Sequence, residues 1–223
     1  MANYAPGIAT KCKIINSAKE LFYERGYLDV TMKDICDHSG VRRTLFFHYF
    51  KDKAELGVFI MTWANSIYAS KSLEIIKKNM SHLSNLVKEL VYDGMLFRSS
   101  VENTKVGRLY AEISLDVPMF HLTDENEEKL RHRFDMLGIE KSAGEITMAS
   151  AYIAGATYMM LARYLNKTTT ITDRQFVEQL VGTSLAVIAP DYPEKDKAVA
   201  EAIEAIYAYD IDFDAIFHER YSE

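Results

Sequence analysis

The run with the most chemistry in it is Arg42-Arg43-Thr44, followed closely by Phe47-His48. A guanidinium presents a planar fork of donors that suits a phosphate or the O6/N7 edge of guanine. A threonine presents a methyl and a hydroxyl, suited to thymine or a phosphate. Just ahead of these residues stands Ser39-Gly40-Val41. Glycine reaches the left-handed conformation that a sharp helix–helix turn requires. Further back, Thr31 reads as a helix N-cap, with Asp34 three residues on as a shorter-armed capping box. Ile35 and Cys36 give that helix a buried side, and Val41 plugs the angle of the turn. Leu45, Phe46 and Tyr49 or Phe50 pack the second helix. Thr31 to Lys53 therefore reads as a helix-turn-helix whose second helix opens with two arginines.

Other constellations carry less. Asp210, Asp212 and Asp214 have the 1-3-5 spacing of a calcium loop, but Ala215 and Tyr221 stand where the loop needs Gly and Glu. His121 and His132, near the acidic run from Asp124 to Glu128, read as a solvated polar face and not a metal site. Gly182-Thr183-Ser184 has no strand before it, so it reads as helix packing and not as a nucleophile elbow. With no convergent nucleophile and base, no metal motif and no phosphate loop, we expect no catalytic or metal-ligating residues and no cofactor. The chain reads as a protein other than an enzyme. Cys12 and Cys36 fall on different predicted helices, without framework spacing or a signal peptide, which points to a reduced cytoplasmic setting. Cys36 reads as core.

The elements that position the arginines are helical throughout. Four prolines, ten glycines and 48% hydrophobic residues in 223, with no strand-like runs, make an all-α class the expectation. Helix 1 is predicted from about Thr10 to Arg25, with Ile14, Ile15, Ala18, Leu21 and Phe22 on one face. Charge divides the chain. Residues 1–53 hold nine basic side chains against six acidic, and the rest holds 17 against 26, within a net charge of −6. A basic head on an acidic body suits phosphate contact by the head alone. We therefore expect residues 1–53 to form a DNA-binding unit and residues 54–223 a larger helical body.

A long helix is predicted from about Lys53 to Lys78, others from about His82 to Arg98 and from Thr104 to Leu115, then a polar one to Leu137. Ile146 to Ala162 contains no charge, but it is too short and too rich in small residues to span a membrane, which needs roughly 18–20 apolar residues. It reads as a helix buried on nearly all sides. A second uncharged run, Leu180 to Pro190, ends the next helix. Two such helices over-bury a single small domain, so each is expected to give one face to a second copy of the chain. Ala154, Gly155, Tyr158, Gly182 and Leu185 are the candidate contacts of a homodimer built on a four-helix bundle.

The order helix 1, helix-turn-helix, long fourth helix and all-helical body resembles the tetracycline-repressor (TetR) family of bacterial transcription regulators. The resemblance runs from about Ile14 to Leu56. It rests on the AKELFYERGY segment, Val30-Thr31, Asp34-Ile35, Gly40-Val41, Phe47-His48-Tyr49-Phe50 and Lys53. The resemblance implies that Thr31, His48 and Lys53 reach backbone phosphates and that Arg43 and Thr44 face base edges. Two departures stand out. Arg42 replaces the usual capping Ser or Thr and adds a charge. Phe47 replaces a tyrosine, so a hydroxyl contact is missing, and packing against the sugar-phosphate backbone is what remains to it.

The family further implies a dimeric, ligand-gated repressor whose recognition helices enter successive major grooves about 34 Å apart at a pseudo-palindromic operator. A small-molecule effector would move the fourth helix and release the DNA. Trp63, Tyr92, Phe97, Tyr110, Phe120 and Tyr152 are the candidate pocket residues, and an aromatic share of 12% favours an apolar or aromatic effector. The alternative is the same DNA-binding fold controlled by a protein partner, which a solid, pocketless body would favour.

Overall fold

The structure is a computed structural model and describes residues 5–117, 123–168 and 170–222. Among the described residues it is helical throughout, with no strand. The helices are α1 (Ala5–Arg25), α2 (Met32–Ser39), α3 (Arg43–Tyr49), α4 (Lys53–Asn79), α5 (Asn85–Glu102) and α6 (Thr104–Asp116). They continue with α7 (Thr123–Met136), α8 (Ala143–Leu165), α9 (Asp173–Ile188), α10 (Lys195–Tyr207) and α11 (Phe213–His218). No helix is long and apolar enough to cross a membrane among these residues.

Helix α1 starts at Ala5, ahead of the Thr10 expected from periodicity. Pro6 lies in its first turn, where an amide N–H has no intrahelical acceptor and proline costs nothing. Its inner face is the predicted one: Ile14, Ile15, Ala18 and Phe22 are buried. Gly26, at φ +89°, lets the chain leave the helix.

The centre of the body is α5, which packs against α4, α6, α9 and α10. It buries eleven residues, among them Asp93, Arg98, Ser99 and Ser100. Arg98 is held because it finishes other elements: it donates to the carbonyls of Ile206 (2.9 Å) and Tyr209 (2.7 Å) and pairs with Glu102 (2.6 Å). A cation at these C-terminal carbonyls satisfies groups that α10 leaves open.

The uncharged run Ile146 to Ala162 lies in α8. Within the chain, α8 fully buries only Ile146, Ser150 and Leu161, and Met148, Tyr152 and Met159 are exposed. The lack of charge from Ile146 to Ala162 is thus not explained by the core of a single copy.

Helices α5 and α6 meet so closely that a Cβ added at Gly107 would overlap the Ser100 carbonyl oxygen. Backbone cannot swing aside as a side-chain tip can. Gly107→Ala should therefore destabilise the fold by about 3 kcal/mol, near the upper end of overpacking costs. Thermal unfolding should show a midpoint lowered by about 6–12 °C; an unchanged midpoint would mean that the two helices separate freely.

Residues 213–221 return to the head and fasten it. Asn16 donates to the Tyr221 carbonyl (3.1 Å) and accepts from the Tyr221 amide (2.9 Å). The buried Lys19 ammonium donates to the Glu219 carbonyl and lies 3.8 Å from the Trp63 ring centroid. Tyr221 packs edge-on against Phe59 and Trp63, and Phe217 stacks on Tyr23. Burial outweighs the nearby Glu219 and Glu20 carboxylates and lowers the Lys19 pKa to about 8.

Candidate functional site

The helix-turn-helix is built by local chemistry. Thr31 and Asp34 form a full capping box: the Asp34 amide donates to the Thr31 hydroxyl oxygen (3.2 Å), and the Thr31 amide donates to the Asp34 carboxylate (2.8 Å). The hydroxyl and amide of Thr31, with the nearby Arg25 guanidinium, hold the Asp34 pKa down to about 2. The hydroxyl and the amide of Thr31 are therefore both engaged with Asp34, and the phosphate contact that the resemblance implies there requires an exchange. Gly40, at φ +67°, makes the turn, and Ile35, Val41 and Phe46 are buried where α2 meets α3.

On the outer side of α3, Arg42, Arg43, Thr44, Phe47 and His48 are all exposed. Positions 43, 44, 47 and 48 share one helical face. Arg42 occupies the N-cap in extended conformation and makes no side-chain cap, as its side chain requires. The Arg43 guanidinium lies over the Phe47 ring, 5.6 Å from its centroid. A cation over an aromatic face is attracted by the ring quadrupole, so Phe47 gives Arg43 a flat support. Lys53 is half-buried. Its ammonium donates to the carbonyls of Tyr27 and Val30, both at 3.0 Å, and sits 4.2 Å from the Tyr27 ring centroid. It acts in this structure as a strut between α4 and the segment before α2.

The head is fastened to α6 through the turn after α1. Tyr27 donates to Asp116 (2.5 Å), the Leu28 amide to Glu112 (3.0 Å), and Arg108 to Asp29 (3.0 Å). Lys105 pairs with Glu24 (3.2 Å).

Beneath α4 lies a cavity of about 240 Å³, walled by α4 to α8. Tyr92, Phe97 and Tyr110, three of the six residues expected from sequence, line it. Trp63 and Tyr152 do not. Trp63 is taken up by Lys19 and Tyr221, and Tyr152 is 61% exposed on the outer face of α8. Phe120 lies outside the described residues. Of the candidates for contact between copies, Ala154 and Tyr158 face this cavity, whereas Leu185 is 1% exposed in the chain's own core. Added Cβ atoms at Gly155 and Gly182 would meet nothing within 4 Å.

Sequence reasoning missed the polar part of this cavity. Arg133 of α7 donates to both carboxylate oxygens of Asp93 (3.0 and 2.9 Å) and pairs with Glu89 (2.7 Å). The i, i+4 spacing of Glu89 and Asp93 puts both carboxylates on one face of α5, and this was the available signal. Nothing local in the sequence assigned them a partner. No group of three or more His, Cys, Asp or Glu residues suited to a metal is present among the described residues.

Residues 14–57 match the family of bacterial regulatory proteins known as the tetR family. Within this chain the match covers the helix-turn-helix head and the start of α4. A curated HTH-type transcriptional regulator of Lactococcus lactis subsp. lactis is 28% identical over 108 residues, 47% of this chain; the match spans 55% of that relative's length. In three dimensions the chain is similar to RolR in complex with resorcinol, with a TM-score of 0.61 at 18% identity, over 90% of this chain and 96% of that one. A TetR-family regulator from Syntrophomonas wolfei str. Goettingen superposes with a TM-score of 0.57 at 14% identity, over 83% and 98%. These likenesses establish the fold: a helix-turn-helix head on a larger helical body.

Proposed function

We propose that this chain is a homodimeric repressor of the TetR type that binds a pseudo-palindromic operator and leaves it when a small molecule fills the cavity. One observation carries the reading. The single helix α4 begins at Lys53, fastened to the helix-turn-helix, and passes Asn65 and Ala69 in the cavity wall. A ligand that favours a different seat for α4 thereby favours a different position of α3. On this reading residues 1–53 contact DNA, chiefly through Arg42, Arg43, Thr44 and His48, and residues 54–223 bind effector and partner copy. A protein that occupies chromosomal operators works in the cytoplasm. The presence of a cavity favours a small-molecule effector over a protein partner, and RolR's resorcinol shows that a similar fold takes a small aromatic ligand.

The contact between copies is assigned to α8 with α9. Met148, Tyr152, Gly155 and Met159 are exposed along one stripe of α8, an apolar face that solvent disfavours. Gly155 and Gly182 leave room there for close helix approach. Sedimentation of the wild type should give a dimer of about twice the 25.5 kDa chain mass, and Gly155→Glu should give a monomer. A wild-type monomer at micromolar concentration would refute this face. Loss of operator binding on titration with effector, followed with DNA sites selected from a genomic library, tests the release step.

A further inference from the structure

Resting on that reading of the cavity, we infer that its occupant is a neutral molecule of one or two rings bearing an oxygen that accepts a hydrogen bond from Tyr110. Tyr110 is 4% exposed and lines the cavity, and its hydroxyl has no hydrogen-bond partner in the protein among the described residues. Burying a hydroxyl unpaired costs free energy, so a ligand oxygen placed here recovers a bond that the fold alone leaves unmade. Burial also pushes this phenol's ionisation far above its ordinary range, so it remains an O–H donor at any physiological pH. Tyr158, Ser100, Ser150 and Thr157 bring further hydroxyls to the same walls.

Neutrality follows from the charges. The enclosed cation, Arg133, already holds Asp93 through two donors and Glu89 through a third. A ligand carboxylate would meet Asp93 in the wall, whose guanidinium partner also serves Glu89, and Lys129 stands at the exposed rim. A ligand cation would have to displace Arg133 from both carboxylates. Size and shape follow from volume and walls. An apolar protein cavity of about 150 Å³ takes one benzene ring; about 240 Å³ beside Tyr92 and Phe97 takes a flat ring with a second ring or short substituents.

Calorimetric titration of the full chain with 5-indanol, indane and indane-5-carboxylate separates the elements of the inference. Wild type should bind 5-indanol about tenfold tighter than indane, the worth of one buried hydrogen bond, and should bind the carboxylate most weakly. Tyr110→Phe should reduce the 5-indanol preference to within about twofold while indane affinity holds. The variant should fold as well as wild type, since it deletes a hydroxyl with no protein partner. Equal affinity for 5-indanol and indane, tighter binding of the carboxylate, no binding of any of the three at millimolar concentration, or an unchanged preference in Tyr110→Phe would each overturn the inference. Operator release is read separately with selected DNA. Binding of 5-indanol without release would leave the ligand chemistry standing and overturn the ligand-gated reading. Release by a compound whose affinity ignores Tyr110 and follows the carboxylate would do the reverse.

Discussion

Arg43→Ala should cost about 1–3 kcal/mol of specific operator affinity per recognition helix and relax base preference at one position of each half-site. The magnitude is that of a bidentate arginine contact to a base edge. The placement comes from α3: the turn at Gly40 fixes the helix start, Phe46 and Val41 hold its inner face, and Arg43 stands at the first helical position on the outside. Its guanidinium is steadied over Phe47, so Phe47→Ala should give a smaller loss in the same direction, through poorer aim and not through a lost donor. Both follow from anisotropy titrations on sites selected from random DNA, at one fixed salt concentration because phosphate contacts make affinity salt-dependent. If Arg43→Ala left affinity and the selected sequence unchanged, α3 would not be the reading helix in the orientation assigned here.

Arg133→Met should destabilise the body by about 3–5 kcal/mol, the usual cost of stranding a buried charge by removing its partner. Two carboxylates are stranded in this case, since Asp93 and Glu89 both lie against the one guanidinium and are mostly buried. The thermal midpoint should fall by about 6–20 °C for a chain of this size. The loss has a definite dependence on pH. Burial already raises the Glu89 pKa, with Arg133 pulling it back down. Without Arg133 the Glu89 pKa rises further above its unfolded value, so the folded variant binds more protons than the unfolded chain. The deficit against wild type should therefore be largest near neutrality and shrink as pH falls towards 5, when a carboxyl protonates and the stranded charge disappears. Melting both proteins from pH 5 to pH 8 checks this. A deficit that is constant across the range would assign the loss to packing instead of charge. Full stability in Arg133→Met would show that water reaches both carboxylates freely.

The helix-turn-helix was legible because its determinants lie within a few residues of one another. A capping pair at Thr31 and Asp34, a left-handed glycine at Gly40 and an apolar residue in the turn specify it without the rest of the chain. Helix α4 was equally legible, from the long apolar face that begins after Lys53; its N-cap, Asp52, is seen in the structure. The body resisted for the opposite reason. Its central helix α5 carries Asp93, Arg98, Ser99 and Ser100, residues that read as surface until α7 and α10 supply their partners. The uncharged run Ile146 to Ala162 in α8 was read as buried on nearly all sides, with one face given to a second copy, and a single chain leaves Met148, Tyr152 and Met159 exposed. Absence of charge does not say which face the chain's own core takes. Trp63 misled in a similar way: an aromatic on α4 could reach the cavity or the head, and Lys19 with Tyr221 decides for the head. Tyr110 was found from aromatic content alone; the unpaired state of its hydroxyl emerges only from the packed structure.

The joint between Asn16 and Tyr221 spans nearly the whole length of the polypeptide, and this gives the order of synthesis a meaning. Helix α1 leaves the ribosome early, but residues 213–221 follow nearly 190 residues later, a delay of about 10–40 s at cellular elongation rates. During that interval Phe59, Trp63 and Lys19 stand without the rings and carbonyl that later cover them. A chain that stops in α10 thus lacks the clasp of Tyr221 on Asn16, while the contacts between the head and α6 are already in place. Residues 213–221 complete the cover over Lys19, Phe59 and Trp63.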